Sequence, residues 1–268
     1  MDLNDLLFEF SHKERYNLLQ GLYYESKRHT ELQSELNLPG SEISRHLKRL
    51  REKNLVIKNL QNKYQITNIG KLFIRLMEIF RVSLNHSDFF NTHKISSIPI
   101  NLIFQLGKLN EVEFGNKTME NMEIFESLVK SSEKFLYAIT DQYQKSLLKE
   151  AEKKWRNRSI KIRALIDIDL LKSYNIPDGW SKLFDNPKTF FKDMLENIRI
   201  LEDIEISLVV SDKGAIVFLS KDGQIDYSQC LIDNHIPFIE WAKELFEWYW
   251  IKGSQILPLI RKESRLER

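Results

Sequence analysis

The chain has 268 residues, 42% of them hydrophobic, enough to bury a sizeable core in one large domain or two of ordinary size. A single cysteine, Cys230, excludes an intramolecular disulfide and any cluster of cysteine metal ligands, and is expected as a buried, inert thiol in a reducing compartment. The net charge of +2 is unevenly spread: residues 1–75 hold thirteen Lys/Arg against nine Asp/Glu, residues 41–75 nine against two, and the remainder is close to neutral, so a polyanion partner is expected for one part of the chain only. The opening "MDLNDLLFEF" carries acids where a signal peptide would be basic, and no apolar run is long enough to span a bilayer. A soluble, cytoplasmic protein without a membrane partner is expected.

In chain order, Ser11 with Glu14 fits a capping box before a helix whose stripe includes Leu18, Leu19 and Leu22. Thr30 is expected to cap a shorter helix through Leu32 and Leu36. Asn37, Leu38, Pro39 and Gly40 make a tight connection, because proline and glycine end one helix and let the chain turn. Ser41 opens the next helix, where Ile43, Leu47 and Leu50 recur at steps of four and three and share a buried face. Ser41, Arg45, Lys48 and Arg49 fall opposite them, with Ser44 at the margin. Val56–Leu60 and Lys63–Ile66, joined by Gln61 and Asn62, read as a hairpin with a polar, basic tip, after which Thr67 caps a helix containing Leu72, Phe73, Leu76 and Ile79.

This order of helices, turn, helix, hairpin and helix is that of a winged helix-turn-helix. A helix fits the DNA major groove, so its outward side chains reach base edges while the wing and helix ends touch phosphates. Expected DNA-contacting residues are Ser41, Ser44, Arg45, Lys48 and Arg49 on the reading helix and Lys58, Asn62 and Lys63 on the wing. The stretches "SEISRHLKRLREKNLVIK" and "YQITNIGKLF" resemble the recognition helix, wing and following helix of archaeal and bacterial winged-helix repressors of the ArsR and MarR kind, over about the first 80 residues. In ArsR-type sensors metal is held by cysteine and histidine clusters. Here His12, His29 and His46 have no cysteine beside them, so metal sensing is not carried over.

Residues 82–98 lose clear periodicity and end before Pro99, which marks a connecting segment between an N-terminal domain at 1–81 and a second domain at 99–268. His86, His93 and Asp88 within it match no ligand spacing, and no metal is expected there. Beyond it, "FLYAIT" (135–140) and "IKIRALI" (160–166) read as strands flanking a helix at 142–157 with Leu147, Leu148, Ala151 and Trp155 on one side. Together they form a βαβ crossover with parallel strands. Residues 204–210 and 215–219, with a short strand after Asp222 and Gly223, form an antiparallel meander, and an aromatic helix closes the chain at about 236–252. In that helix Trp241 is expected in the core, while Trp248, Tyr249 and Trp250 could line a pocket or a dimer seam.

"IPINLIFQLGKL", "FLYAITD", "IKIRALID" and "IEWAKELFEWYW" resemble, over roughly 95–255, the effector-like domain behind winged helices in archaeal regulators of the methanogenesis-regulatory-protein group. Such domains are distantly similar to the phospholipase D sheet, which raises a phosphodiesterase or nuclease as the alternative function. The H-x-K of that enzyme family occurs here only as His46-Leu47-Lys48, inside the reading helix and with Lys53 where the aspartate should follow. No phosphate-binding glycine loop and no G-x-S-x-G is present. Asp141, Asp167 and Asp169 follow strand ends, where α/β sheets bind ligands, and are the candidate ligand-binding residues. As caps and turn residues they would have no such role.

The expected fold is α+β: a winged helix-turn-helix followed by a mixed α/β sheet domain with covering helices. The expected function is transcriptional regulation through double-stranded DNA, by a homodimer whose C-terminal domain senses a small-molecule effector, with no catalytic residues and no cofactor. Near-neutral residues 76–268 argue against the uniform basicity of an architectural chromatin protein.

Overall fold

The computed structural model describes residues 2–109, 112–142, 147, 150, 153–154, 160–168, 170 and 196–255. It divides into two compact units, Met1–Arg81 and Val82–Arg268, considered separately below.

The first unit contains α1 (Leu3–Phe10), α2 (Lys13–Gly21), α3 (His29–Leu36), α4 (Gly40–Glu52), β1 (Val56–Lys58), β2 (Tyr64–Ile66) and most of α5 (Asn68–Asn85). One apolar cluster joins them: Leu6 and Phe10 of α1, Leu18 and Leu19 of α2, Leu32 of α3, Ile43, Leu47 and Leu50 of α4, and Ile74 of α5. The α3–α4 connection turns at Asn37, which is left-handed at φ 51° and closes α3, while Pro39 presets the entry to α4. β1 and β2 pair antiparallel with Val56 opposite Ile66, and Lys27 adds a backbone bridge to Tyr64 on the outer edge of β2.

Three local expectations are corrected here. Ser11 does not open α2; its hydroxyl donates to the Phe8 carbonyl at 2.9 Å and closes α1, a helix the sequence did not suggest, and His12 precedes α2. Thr30 lies inside α3 rather than capping it, since the helix starts at His29 and the Glu31 carboxylate accepts the Arg28 N–H. The wing strands are shorter than the stretches 56–60 and 63–66, because Asn59 turns the chain early. On α5, Ile74 is buried and Leu72 points outward, and Thr67 caps the helix, as expected, by accepting the Gly70 N–H at 3.1 Å.

Residues 82–98 belong to the second unit. They carry the end of α5, α6 (Ser87–Thr92) with Phe89 buried, and a 3₁₀ turn at Ile95–Ser97, where a segment without periodicity was expected. After α7 (Ile100–Ile103) come β3 (Glu113–Gly115), α8 (Thr118–Ser131), β4 (Phe135–Thr140), β5 (Lys161–Asp167), β6 (Ile198–Leu201), β7 (Ile206–Ser211), β8 (Gly214–Lys221), β9 (Gln224–Ile225), β10 (Cys230–Asp233), α8's counterpart α9 (Ile236–Lys252) and β11 (Ser254–Gln255). Among the described residues the strands form one sheet in the order β11-β6-β5-β4-β7-β8-β10-β3, with β9 paired to β8.

β4, β5 and β6 run parallel, with Thr140 opposite Ile166, and β4 is adjacent to β5. β7–β8 and β8–β9 are antiparallel, the expected meander, and β4–β7 and β8–β10 are antiparallel pairs that extend it. Side chains alternate across the sheet. Leu136, Val209, Ile216 and Phe218 pack with Phe125, Leu128 and Val129 of α8, whereas Tyr137 stacks on Phe246 of α9 at 4.9 Å. The two helices therefore cover opposite faces, and β7 and β8 are buried almost throughout.

Of the helix expected at 142–157, Leu147 is buried and helical, while Leu148, Ala151 and Trp155 lie outside the described residues. Trp241 is core and donates to the Leu102 carbonyl at 3.0 Å. Tyr249 is buried with its hydroxyl on the Ser97 carbonyl, and Trp250 is buried between the guanidinium groups of Arg163 and Arg199, 3.9 and 4.5 Å from its ring centre. Trp248 is half-buried beneath Lys252.

Candidate nucleic-acid interface

The apolar stripe of α4 fixes which side chains look outward. With Ile43, Leu47 and Leu50 in the core, Ser41, Ser44, Arg45 and Lys48 are exposed. Arg45 pairs with Glu42 at 3.2 Å and Lys48 approaches Glu52 at 3.9 Å. Exposed pairs of this kind are worth ~0–1 kcal/mol, so both cations can transfer to a phosphate or base edge at little cost. Ser44 is engaged from behind, its hydroxyl 2.9 Å from Nε2 of His29, a contact between α3 and α4 that sequence reading missed.

Arg49 differs from the free cation expected. Its guanidinium reaches back to Glu9 at 2.7 Å and lies over the Phe8 ring at 5.2 Å. Glu9 is buried and also pairs with Arg15 at 2.8 Å, so this carboxylate serves two arginines from different helices.

On the wing, Lys58 is exposed with its ammonium 5.6 Å from the Tyr64 ring centre, Lys63 is half-buried, and Asn62 is exposed in the left-handed region at φ 61°. The turn is rigid because the Asn59 side chain accepts the N–H groups of both Gln61 and Lys63 at 3.0 Å. From Lys53 to Met77 the sequence contains no Asp or Glu, so no carboxylate of that stretch opposes an approaching anion.

His46, which the sequence offers as a metal ligand without a cysteine beside it and as part of a misplaced H-x-K, lies on the inner side of α4. It is buried against His12, with ring centres 4.7 Å apart, and neither ring nitrogen has a hydrogen-bond partner. Burial, then the neighbouring His12, Arg45 and Arg15, hold its pKa below the ordinary histidine value.

In the second unit Asp141 and Asp167 stand at the carboxyl ends of the adjacent parallel strands β4 and β5, as expected, and Asp169 lies outside the described residues. Asp141 accepts the Tyr227 hydroxyl, whose pKa is pushed up by burial and by that carboxylate. The surface depressions described by Thr30, Gln33, Asn37 and Pro39 and by Glu123, Glu126 and Lys130 are shallow and do not include these aspartates. His86 and His93 are not brought together with Asp88. His86 stacks on Phe114, and His93 is buried with Nδ1 2.9 Å from the Phe89 carbonyl and Nε2 3.3 Å from Asp226. Among the described residues no group of three or more His, Cys, Asp or Glu is arranged to hold a metal ion, and no helix is long and apolar enough to cross a membrane.

Residues 120–252 match the family model of the methanogenesis regulatory protein FilR1, middle domain. The matched residues are just under half of the chain and run from α8 through the sheet to the end of α9. No curated protein matches the chain. Among solved structures, the chain is similar to TrmBL2, an archaeal chromatin protein, at 15% identity over 93% of this chain and 96% of that one, with a TM-score of 0.39. It is similar to HlyU from Vibrio cholerae at 30% identity over 29% of this chain and 95% of that one, with a TM-score of 0.26. A phosphatidylserine synthase from Haemophilus influenzae is similar at 14% identity over 47% of this chain and 34% of that one, with a TM-score of 0.31. At TM-scores below 0.5 none of these three likenesses bears on function.

Proposed function

We propose that the protein is a DNA-binding transcriptional regulator that reads double-stranded DNA with α4 and steadies itself on the flanking backbone with the wing. The observation that carries this reading is the pairing of an outward cationic face on α4, anchored by Ile43, Leu47 and Leu50, with a following stretch of 25 residues, Lys53 to Met77, that holds no carboxylate. The FilR1-type match, to a domain named for a regulatory protein, supports it. In this reading Arg45 and Lys48 reach base edges, Ser41 and Ser44 sit where the N-terminal turn of α4 meets phosphate, and Lys58, Asn62 and Lys63 contact the backbone. Arg49 contributes by fixing α4 rather than by reading bases. Selection of bound duplexes from a random pool tests this: recovery of a shared sequence supports it, and the absence of any enriched sequence contradicts it.

The regulator acts as a homodimer in this proposal, since two copies double the contacts on a palindromic site. Trp241, Tyr249 and Trp250 of α9 are buried, which favours α5 as the seam: Ile69, Leu72 and Phe80 are 40, 51 and 58% exposed on its outer side. A monomer at micromolar concentration by sedimentation contradicts this.

The second unit binds a small molecule beside Asp141 and Asp167 and does no chemistry. The crevice at the ends of parallel strands is where α/β sheets take ligands. A metabolite screen by thermal shift, followed by DNA titration with each hit, tests both binding and coupling. Turnover of a phosphodiester lost in Asp167→Asn would favour an enzyme instead.

A further inference from the structure

Leu60 occupies the tip of the wing and is fully exposed, at 104% of the reference area. A leucine there contributes nothing to the core, and it is not presented by a loose loop. The Asn59 carboxamide accepts two backbone N–H groups of the turn, the Asn59 N–H donates to the Lys63 carbonyl at 2.8 Å, and Asn62 takes the left-handed conformation that closes the hairpin. An apolar side chain is therefore held out on a pre-ordered support. Ile57, on the same hairpin, is also exposed, at 48%.

The surroundings narrow what Leu60 can meet. Lys58 and Lys63 flank it, and the absence of carboxylates from Lys53 to Met77 leaves the wing wholly cationic. A protein patch fitting this tip would need an apolar pocket ringed by acids. A DNA minor groove offers that combination along its whole length: phosphates at both rims, and between them sugar and base edges that apolar side chains enter by partly unstacking a base step.

We propose that Leu60 is an apolar wedge that enters the minor groove flanking the site read by α4, with Lys58 and Lys63 seated on its two phosphate rims. This rests on the DNA-binding reading above and assigns the wing a second role, sensitivity to how easily the flanking step opens. Flexible pyrimidine–purine steps would be preferred there over stiff A-tracts, without a hydrogen bond to any base.

The test uses the full-length protein and duplexes from the selection, with 2-aminopurine placed at successive positions flanking the bound sequence. The wild type is expected to raise 2-aminopurine fluorescence at one flanking step. Leu60→Ala is expected to abolish that signal and bind roughly tenfold more weakly, the scale set by one buried leucine side chain. Leu60→Met should restore both. Because Leu60 touches no core residue, Leu60→Ala should keep the wild-type thermal midpoint. Binding by the wild type with no fluorescent step, together with unchanged affinity of Leu60→Ala, would overturn the wedge and leave the regulator reading standing. Unchanged DNA affinity with lost self-association would overturn it in favour of a protein contact. No duplex binding by the wild type would remove the reading itself and the wedge with it.

Discussion

Arg49 on α4 and Glu9 on α1 are joined at 2.7 Å, tying the outer face of the proposed reading helix to a buried carboxylate. Glu9 has a side chain only 1% exposed, and its second partner, Arg15, is 4% exposed. Removing the carboxylate strands a buried guanidinium, so Glu9→Ala should cost ~3–5 kcal/mol in denaturant unfolding. Arg49→Ala leaves the Arg15 pair in place and removes a half-exposed partner, so its cost should be far smaller. Equal losses for the two would mean that Arg15 is not the group Glu9 neutralises.

Arg45 and Lys63 should separate by the kind of loss they cause. Arg45→Ala is expected to cost ~1–3 kcal/mol on the selected duplex and far less on unrelated DNA. Lys63→Ala should weaken all duplexes alike and reduce the salt slope by about one. Anisotropy titrations on both classes of duplex check this, and the protein's stability should be unchanged by Arg45→Ala, whose Glu42 pair is exposed.

His46 predicts a pH dependence. Its pKa lies below the ordinary value of 6.5 in the folded chain, mainly because it is buried, so the unfolded chain binds the proton more readily. Stability then rises with pH, is fully present above about 6.5, and is lost as pH falls from there toward the folded value. The groups facing the ring are His12, Glu42, Arg45 and Arg15, and Glu42, at 3.7 Å, is the carboxylate that offsets the cations. The protection factors of α4 amides, with the pH dependence of intrinsic exchange divided out, should therefore fall in mild acid. His46→Leu, which removes both unpartnered nitrogens of this ring, should flatten that response. An unchanged acid response in His46→Leu would assign it to other groups.

Asn121 and Gly115 form a locked contact in the second unit. The buried Asn121 amide donates to the carbonyls of Tyr227 and Ser228, both at 3.1 Å, and a Cβ on Gly115 would sit 2.2 Å from Asn121 Oδ1 and 2.6 Å from Cys230 Sγ. Asn121→Leu should cost ~1–3 kcal/mol by leaving two carbonyls without a donor, and Gly115→Ala should destabilise by forcing Asn121 aside. The Cys230 thiol, pushed up to about 12 by burial, should resist alkylation until either variant loosens this contact.

The elements legible in the sequence were those with strong periodicity or turn chemistry. The α4 stripe, "FLYAIT" and α9 are legible close to their observed bounds, the hairpin is legible with strands one and two residues too long, and the parallel β4–β5 pair follows from the crossover rule. The short strands β3, β6 and β11 have two to four residues each, too few for a period to register, and their pairing comes from distant partners. α1 was missed because Glu9 reads as a surface acid and is buried only by arginines 6 and 40 residues away. The same long-range pairing explains why Arg49 could be placed on the outer face of α4 from its angle alone, yet not recognised as tied back to the core. Phe80 and Leu60, apolar but exposed, likewise depend on what the fold leaves uncovered.

The central claim, that α4 and the wing form a surface for double-stranded DNA, is tested most directly by titrating a fluorescent duplex with the full-length chain over a range of salt concentrations. The account predicts saturable binding whose log affinity falls linearly with log salt, with Lys63→Ala giving a slope shallower by about one and Arg45→Ala weakening the preferred duplex most. Binding that is absent, or that is unaffected by salt and by both substitutions, would contradict it.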